Sequence, residues 1–141
     1  MKAVKNRFDY IIDANVIIQY LIREDEKQYI RAYEILHGYK CYATHQIICE
    51  VIYILIGVYD VPRDKIVESL KKIQKLITVE DADVMNVALD AFLDKPKLDI
   101  SDCLLYALHV LSGLSVYTFD QKLNKKINRR DSSASARDSE K

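Results

Sequence analysis

Short segments of the β-forming type alternate with longer segments of the helical type along this chain. The β-type segments are brief apolar runs, whereas the helical ones repeat apolar residues every three or four positions. The β-type runs begin at Phe8, Lys40, Ile77 and Leu114, and the first of them ends at Asp13. This alternation predicts an α/β fold, a three-layer α/β/α sandwich around a mostly parallel central sheet, in which ligands bind at the carboxyl ends of the strands.

The helical segments have recognisable starts and stops. Thr44 is a suitable N-cap for a helix that stops at Gly57, and this segment is apolar on nearly all sides, so we expect it to be deeply buried. Ser101 and Gly113 bracket the last major helix. The other predicted helices are Asn15 to Ile22, about Lys27 to Leu36, Pro62 to about Leu76, and Val84 to Leu93.

Length and composition predict one folded domain followed by a tail. The chain has 141 residues, of which half are hydrophobic, and this is enough for one well-packed core. Residues 128–141 are polar or charged with almost no apolar side chain, so ordering them would cost entropy without burying area. We predict a domain over residues 1–127 and a disordered polar tail over residues 128–141.

Several classes of protein are disfavoured by what the sequence lacks. Its 21 acidic and 21 basic residues cancel, so any RNA binding must come from a local basic patch and a metal. No glycine belongs to a dinucleotide-binding or P-loop pattern, and three cysteines without a CxxC spacing predict neither disulfides nor a zinc site. No signal peptide or bilayer-spanning segment of about 20 apolar residues is evident, so we expect a cytoplasmic protein without membrane association.

Four acidic residues adjoin strongly apolar segments. Asp13 and Asp120 each follow a predicted strand, Glu50 lies inside the apolar helix, and Asp102 opens the last major helix. An unpaired carboxylate in such surroundings is costly, and a shared divalent cation would offset the repulsion among all four. Because the set contains oxygen ligands only, it points to Mg²⁺ or Mn²⁺, and to metal-assisted attack on a phosphodiester.

Each acid also has a simpler structural interpretation to be weighed. Asp13 could be a turn residue at a strand end, Asp102 a charge at a helix start, and Asp120 the cap of a following helix. Glu50 has no such role if its helix is buried, so it is the strongest single candidate.

Other polar residues could support this set of acids. Asn15, Thr118 and Asp99 are candidates for orienting the carboxylates or holding metal-bound water, although Asp99 could simply be a loop residue before a Ser101 cap. Basic residues after Asp120 could place positive charge where RNA phosphates run, or they could form a solvated helix face and tail. They are Lys122, Lys125, Lys126, Arg129 and Arg130.

The sequence resembles PIN domains, and among them VapC-type toxins of toxin–antitoxin pairs. The likeness covers roughly Phe8 to Leu123 and rests on the order and spacing of four segments. These are Tyr10-Ile-Ile-Asp-Ala-Asn-Val, Cys49-Glu-Val, Asp99-Ile-Ser-Asp-Cys-Leu-Leu-Tyr-Ala-Leu and Val116-Tyr-Thr-Phe-Asp.

The resemblance implies a site and an activity. By position, the family's metal-binding acids correspond to Asp13, Glu50, Asp102 and Asp120. The activity implied is Mg²⁺- or Mn²⁺-dependent endonucleolytic cleavage of RNA by metal-activated water. The resemblance further implies homodimerisation and inhibition by a small cognate antitoxin protein.

Two other classes compete with the nuclease interpretation. A catalytically silent PIN-like module could bind RNA or protein, although a retired site would not need four mutually repelling acids. A phosphoacceptor receiver domain also places acids at strand ends, but it needs an adjacent acidic pair near the first strand and gives Glu50 no role.

Overall fold

The computed structural model describes residues 7–128, which form two compact units. One unit ends at Asn86 and the other begins at Val87. The strands are β1 (Tyr10–Ile11), β2 (Cys41–Ala43) and β3 (Thr78–Val79), and the helices are α1 (Ala14–Ile22), α2 (Glu26–Gly38), α3 (His45–Gly57), α4 (Arg63–Ile73), α5 (Ala82–Asp94), α6 (Ile100–Ser112) and α7 (Gln121–Asn128). All but the first residue of the predicted tail, residues 129–141, lie outside the described part of the chain.

The first unit contains a parallel sheet with the strand order β1-β2-β3. Tyr10 pairs with Cys41, and Ala43 pairs with Val79. The predicted α/β class and parallel strand direction are therefore confirmed. The apolar run that contains β1 is typical of a buried strand, but Tyr10 and Ile11 are both exposed, and β1 lies at an edge of this sheet.

Helix α3 begins where the sequence predicts, but it has an exposed face. The Thr44 hydroxyl oxygen accepts a hydrogen bond from the Ile47 N–H at 3.2 Å, which is an N-cap. The deep burial expected for the whole helix is wrong, because only one stripe is inside. The buried stripe comprises Ile48, Val51, Ile52 and Leu55, and the exposed positions include Gln46, Glu50, Tyr53 and Ile56.

Helix α6 begins earlier than predicted. Its N-cap is Asp99, not Ser101, and the Asp99 and Asp102 side chains form a reciprocal capping box. Each carboxylate accepts a hydrogen bond from the backbone N–H of the other residue, so the pair satisfies two backbone N–H groups. Gly113 ends the helix with a left-handed φ of 77°, as its position in the sequence predicts.

The segment from Leu114 to Phe119 is not the inner strand that its apolar residues predict. It forms no strand, and the side chains of Tyr117 and Phe119 are 90% and 91% exposed. A β-type sequence needs a neighbouring strand for its backbone hydrogen bonds, and the sheet of the described residues consists of β1, β2 and β3 alone. Here the chain is connecting structure that leads to α7.

Within residues 7–128, none of the helices is both long enough and apolar enough to cross a bilayer.

Candidate metal centre

Asp13 connects the end of β1 to the start of α1. Its Oδ1 atom accepts hydrogen bonds from the backbone N–H groups of Asn15 and Val16, at 3.0 and 3.3 Å. Among the described residues its other carboxylate oxygen accepts no hydrogen bond, and the side chain is exposed. Asp13 therefore caps a helix with one oxygen and offers the second to a ligand.

Glu50 lies on the exposed face of α3. It forms no ion pair with another residue of the range 7–128. The sequence predicts a buried Glu50 that needs a cation for charge neutralisation, but the side chain is exposed. An exposed carboxylate still reaches a cation readily, and it does so without a desolvation cost in the metal-free protein.

Asp99 and Asp102 face each other across the first turn of α6. The Asp102 N–H donates to Asp99 Oδ1 at 2.9 Å, and the Asp99 N–H donates to Asp102 Oδ2 at 3.3 Å. Burial raises the pKa of Asp102, and the negative charges of Asp99 and Asp120 raise it further. The second unit thus brings three of the sequence-predicted acids close enough for their charges to repel.

Asp120 lies at the start of α7 and is held there by its neighbours. Its Oδ1 atom accepts hydrogen bonds from the N–H groups of Lys122 and Leu123, at 2.9 and 3.2 Å. The Thr118 hydroxyl oxygen accepts from the Asp120 N–H at 3.0 Å. Thr118 therefore fixes the backbone of Asp120 and does not touch its carboxylate, and Asn15 likewise meets Asp13 through its backbone.

Three of the four acids thus stand at helix N-termini, where backbone N–H groups and the helix dipole favour negative charge. These local hydrogen bonds give each of the three carboxylates a backbone partner within the protein. Each of Asp13 and Asp120 uses Oδ1 alone for its cap, so the capping and ligand-binding interpretations do not exclude each other. Glu50 differs because it caps nothing.

The donor set has the chemistry of a site for a hard divalent ion. All four side chains offer carboxylate oxygens, and Asp13, Glu50 and Asp120 are exposed. In residues 7–128 no three Asp, Glu, His or Cys side chains stand close enough together to hold one ion as they are placed. The fit to such an ion is therefore one of donor chemistry, in that carboxylate oxygens are the ligands that Mg²⁺ and Mn²⁺ prefer.

A cavity of about 280 Å³ opens beside Asp13 in the first unit. We call it the Asp13 cavity, and it contains residues that the sequence analysis did not single out, notably Gln19, Gln28 and Arg31. They are polar residues on the amphipathic helices α1 and α2, and nothing in their local spacing distinguishes them from an ordinary solvated face. The lining is completed by Asn15, Val16, Ala32 and Ile35.

Of the basic residues after Asp120, Lys122 and Lys125 are exposed on α7 and Lys126 is half-buried. Arg129 and Arg130 lie outside the described residues.

The parallel sheet and the succession of helices define an α/β fold, with carboxylates at the starts of three helices. The chain matches the PIN domain family over residues 10–127, and it therefore belongs to that family. Searches of curated proteins and of solved structures gave no significant match. PIN domains are generally nucleases and typically use divalent metal ions.

Proposed function

We propose that this protein is a Mg²⁺- or Mn²⁺-dependent endoribonuclease that cleaves RNA phosphodiesters by metal-activated water. The observation that carries the proposal is the PIN domain match over residues 10–127, because that range contains all four acids. The geometry supports it in that Asp13 and Asp120 each keep one carboxylate oxygen clear of their helix caps.

In the proposed mechanism, Asp13, Glu50 and Asp102 would hold the metal directly, and Asp120 would complete the site directly or through water. A divalent ion held there would supply activation of a water molecule and stabilisation of negative charge on the phosphate. Neighbouring residues of the protein orient two of these carboxylates. The capping box orients Asp102, and the α7 N-terminus together with Thr118 orients Asp120.

RNA must be attracted locally, because the chain as a whole carries no net charge. Lys122 and Lys125 follow Asp120 on the exposed surface of α7 and supply positive charge in its vicinity. We propose that they contact RNA phosphates close to the acidic residues.

We further propose that the protein is the toxin of a type II toxin–antitoxin system, acting in the cytoplasm as a homodimer inhibited by a cognate antitoxin protein. The support is the resemblance of its motif segments to VapC-type toxins. Induced expression in a bacterial host should arrest growth, and expression of Glu50→Gln should not. Equal arrest by both would contradict the proposed link between toxicity and the acids.

The nuclease proposal is tested by incubating purified protein with a panel of single-stranded and structured RNAs in Mn²⁺, in Mg²⁺ and in EDTA. We expect internal cuts with either metal and none in EDTA. Glu50→Gln should abolish cutting, whereas Glu34→Gln, which removes the same charge from exposed α2, should not. Cutting that persists in EDTA or in Glu50→Gln would contradict the proposal.

A second candidate is a PIN-like module that binds RNA or protein without cutting. The observation in its favour is that Asp13, Asp102 and Asp120 all have capping roles that would preserve them without any metal. In the same panel, RNA binding without cleavage by the wild-type protein would favour this module.

A further inference from the structure

We infer that the Asp13 cavity binds one nucleotide of the RNA strand, with Arg31 paired to its phosphate. This inference rests on the proposed nuclease function and deepens it, because it names a substrate contact beside a proposed metal ligand. Its basis is the cavity in which Asp13 and Arg31 both take part.

Arg31 is the first reason for this assignment. Its side chain is exposed on α2 and forms no ion pair or hydrogen bond with other residues of the described range. Arg23, by contrast, is already engaged by Glu26 through two hydrogen bonds of 3.0 and 2.8 Å. A guanidinium with its donors available beside a carboxylate can form a bidentate contact to a phosphate group.

The rest of the lining suits the remainder of a nucleotide. Ala32 is buried, and Val16 and Ile35 are half-buried, so they provide an apolar inner wall for the face of a base. Asn15 and Gln28 also line this cavity. A carboxamide side chain carries both a donor and an acceptor for a base edge.

The size of the cavity also limits what it can hold. Its volume of about 280 Å³ lies just below the usual range of about 300–1,000 Å³ for small-molecule sites. A single splayed nucleotide is of this size, whereas a base-paired duplex is much larger. The cavity therefore favours single-stranded RNA, whose unstacked bases proteins commonly read in this way.

The zero net charge of the chain makes a local cation such as Arg31 important for attracting an RNA phosphate. With no net charge to attract RNA, each phosphate contact must be made by a local cation. Asp13 opposes phosphate binding in the metal-free protein, since it lines the same cavity. Arg31 offsets this repulsion at short range.

The test measures RNA binding in EDTA, so that no cleavage occurs. Fluorescence anisotropy of a short fluorescein-labelled single-stranded RNA is followed at several KCl concentrations for wild type, Arg31→Gln and Lys75→Gln. Lys75 is exposed and lies outside the cavity, so its variant controls for the loss of one positive charge. We expect Arg31→Gln to weaken binding about tenfold and to reduce the salt slope by about 0.7, the value for one phosphate contact on a single strand.

A variant at Asp13 is expected to change RNA affinity in the opposite direction to Arg31→Gln. Asp13→Asn keeps an oxygen for the helix cap and removes the negative charge, so it should strengthen binding in EDTA severalfold. Arg31→Lys should fall between wild type and Arg31→Gln, because lysine keeps the charge and loses the planar fork.

Equal RNA binding by wild type and Arg31→Gln, or an equal loss in Lys75→Gln, would overturn the assignment of Arg31. If the wild type still cleaves RNA with Mn²⁺ in that case, the nuclease proposal stands and the cavity assignment alone fails. If binding depends on Arg31 but no RNA is cleaved, the cavity is supported and the nuclease proposal fails.

Discussion

At the scale of single residues, Asp13 shows how one side chain can serve the fold and a candidate site together. Its Oδ1 atom satisfies two backbone N–H groups of the first turn of α1, and its other oxygen is directed to neither. An alanine substitution therefore removes both the helix cap and the oxygen that could bind a ligand. A variant that removes the negative charge but keeps the cap must retain an oxygen on the side chain.

Asp13→Ala should lower the free energy of unfolding by about 1 kcal/mol because it removes the N-cap of α1. Asp13→Asn should change it by less than half as much, because asparagine is an equally good N-cap. Urea denaturation in EDTA measures both values. Equal stability of the two variants would show that the cap contributes nothing.

Asp102→Asn should raise stability in the absence of metal. The raised pKa of Asp102 in the folded protein means that its ionised form is disfavoured there by burial and by the charges of Asp99 and Asp120. This cost is fully present at neutral pH, begins to decrease as the pH falls through the raised pKa, and is gone below the ordinary pKa of an aspartate in the unfolded chain. We expect a gain of about 0.5 kcal/mol at neutral pH, the size of a partly exposed charge interaction.

Thermal unfolding of wild type and Asp102→Asn in EDTA, at neutral and acidic pH, measures this gain. The difference between the two proteins should shrink in acid. A variant less stable than the wild type at neutral pH would show that the capping box outweighs the repulsion.

At the scale of elements, the sequence predicts the existence of most helices and strands better than it predicts their exposure. The Thr44 cap and the Gly113 end of α6 follow from local chemistry and are correct. Which side of α3 faces inward does not follow, because Tyr53 and Ile56 are apolar and yet exposed. Burial is decided by neighbours that local sequence does not reveal.

The segment from Leu114 to Phe119 shows the same limit more strongly. Its composition is that of an inner strand, but the aromatic side chains of Tyr117 and Phe119 are almost fully exposed. Phe119→Ala should thus change the free energy of unfolding by no more than about 0.5 kcal/mol.

Phe92→Ala is the matched comparison, since Phe92 is fully buried in α5 and its truncation should cost about 3–5 kcal/mol. Urea denaturation of both variants checks the pair of values. A cost for Phe119→Ala as large as that for Phe92→Ala would mean that the segment is an inner element after all.

At the scale of the whole molecule, the sequence predicts the PIN family and a set of four acids. It also predicts that Glu50 is buried, and this is wrong, because Glu50 is exposed. What supports Glu50 now is its position within the PIN domain match. The sequence did not single out Arg31 as a candidate, because its place in the lining of the Asp13 cavity depends on how α2 packs, which is a tertiary feature.

We propose that the four acids Asp13, Glu50, Asp102 and Asp120 bind a divalent ion. The most direct test is a calorimetric titration of Mn²⁺ into wild type, Glu50→Gln and Glu34→Gln, which needs no knowledge of the RNA target. Saturable binding by wild type and Glu34→Gln, weakened at least about tenfold in Glu50→Gln, is the predicted result. Equal Mn²⁺ affinity in all three proteins, or no binding by the wild type, would contradict the claim.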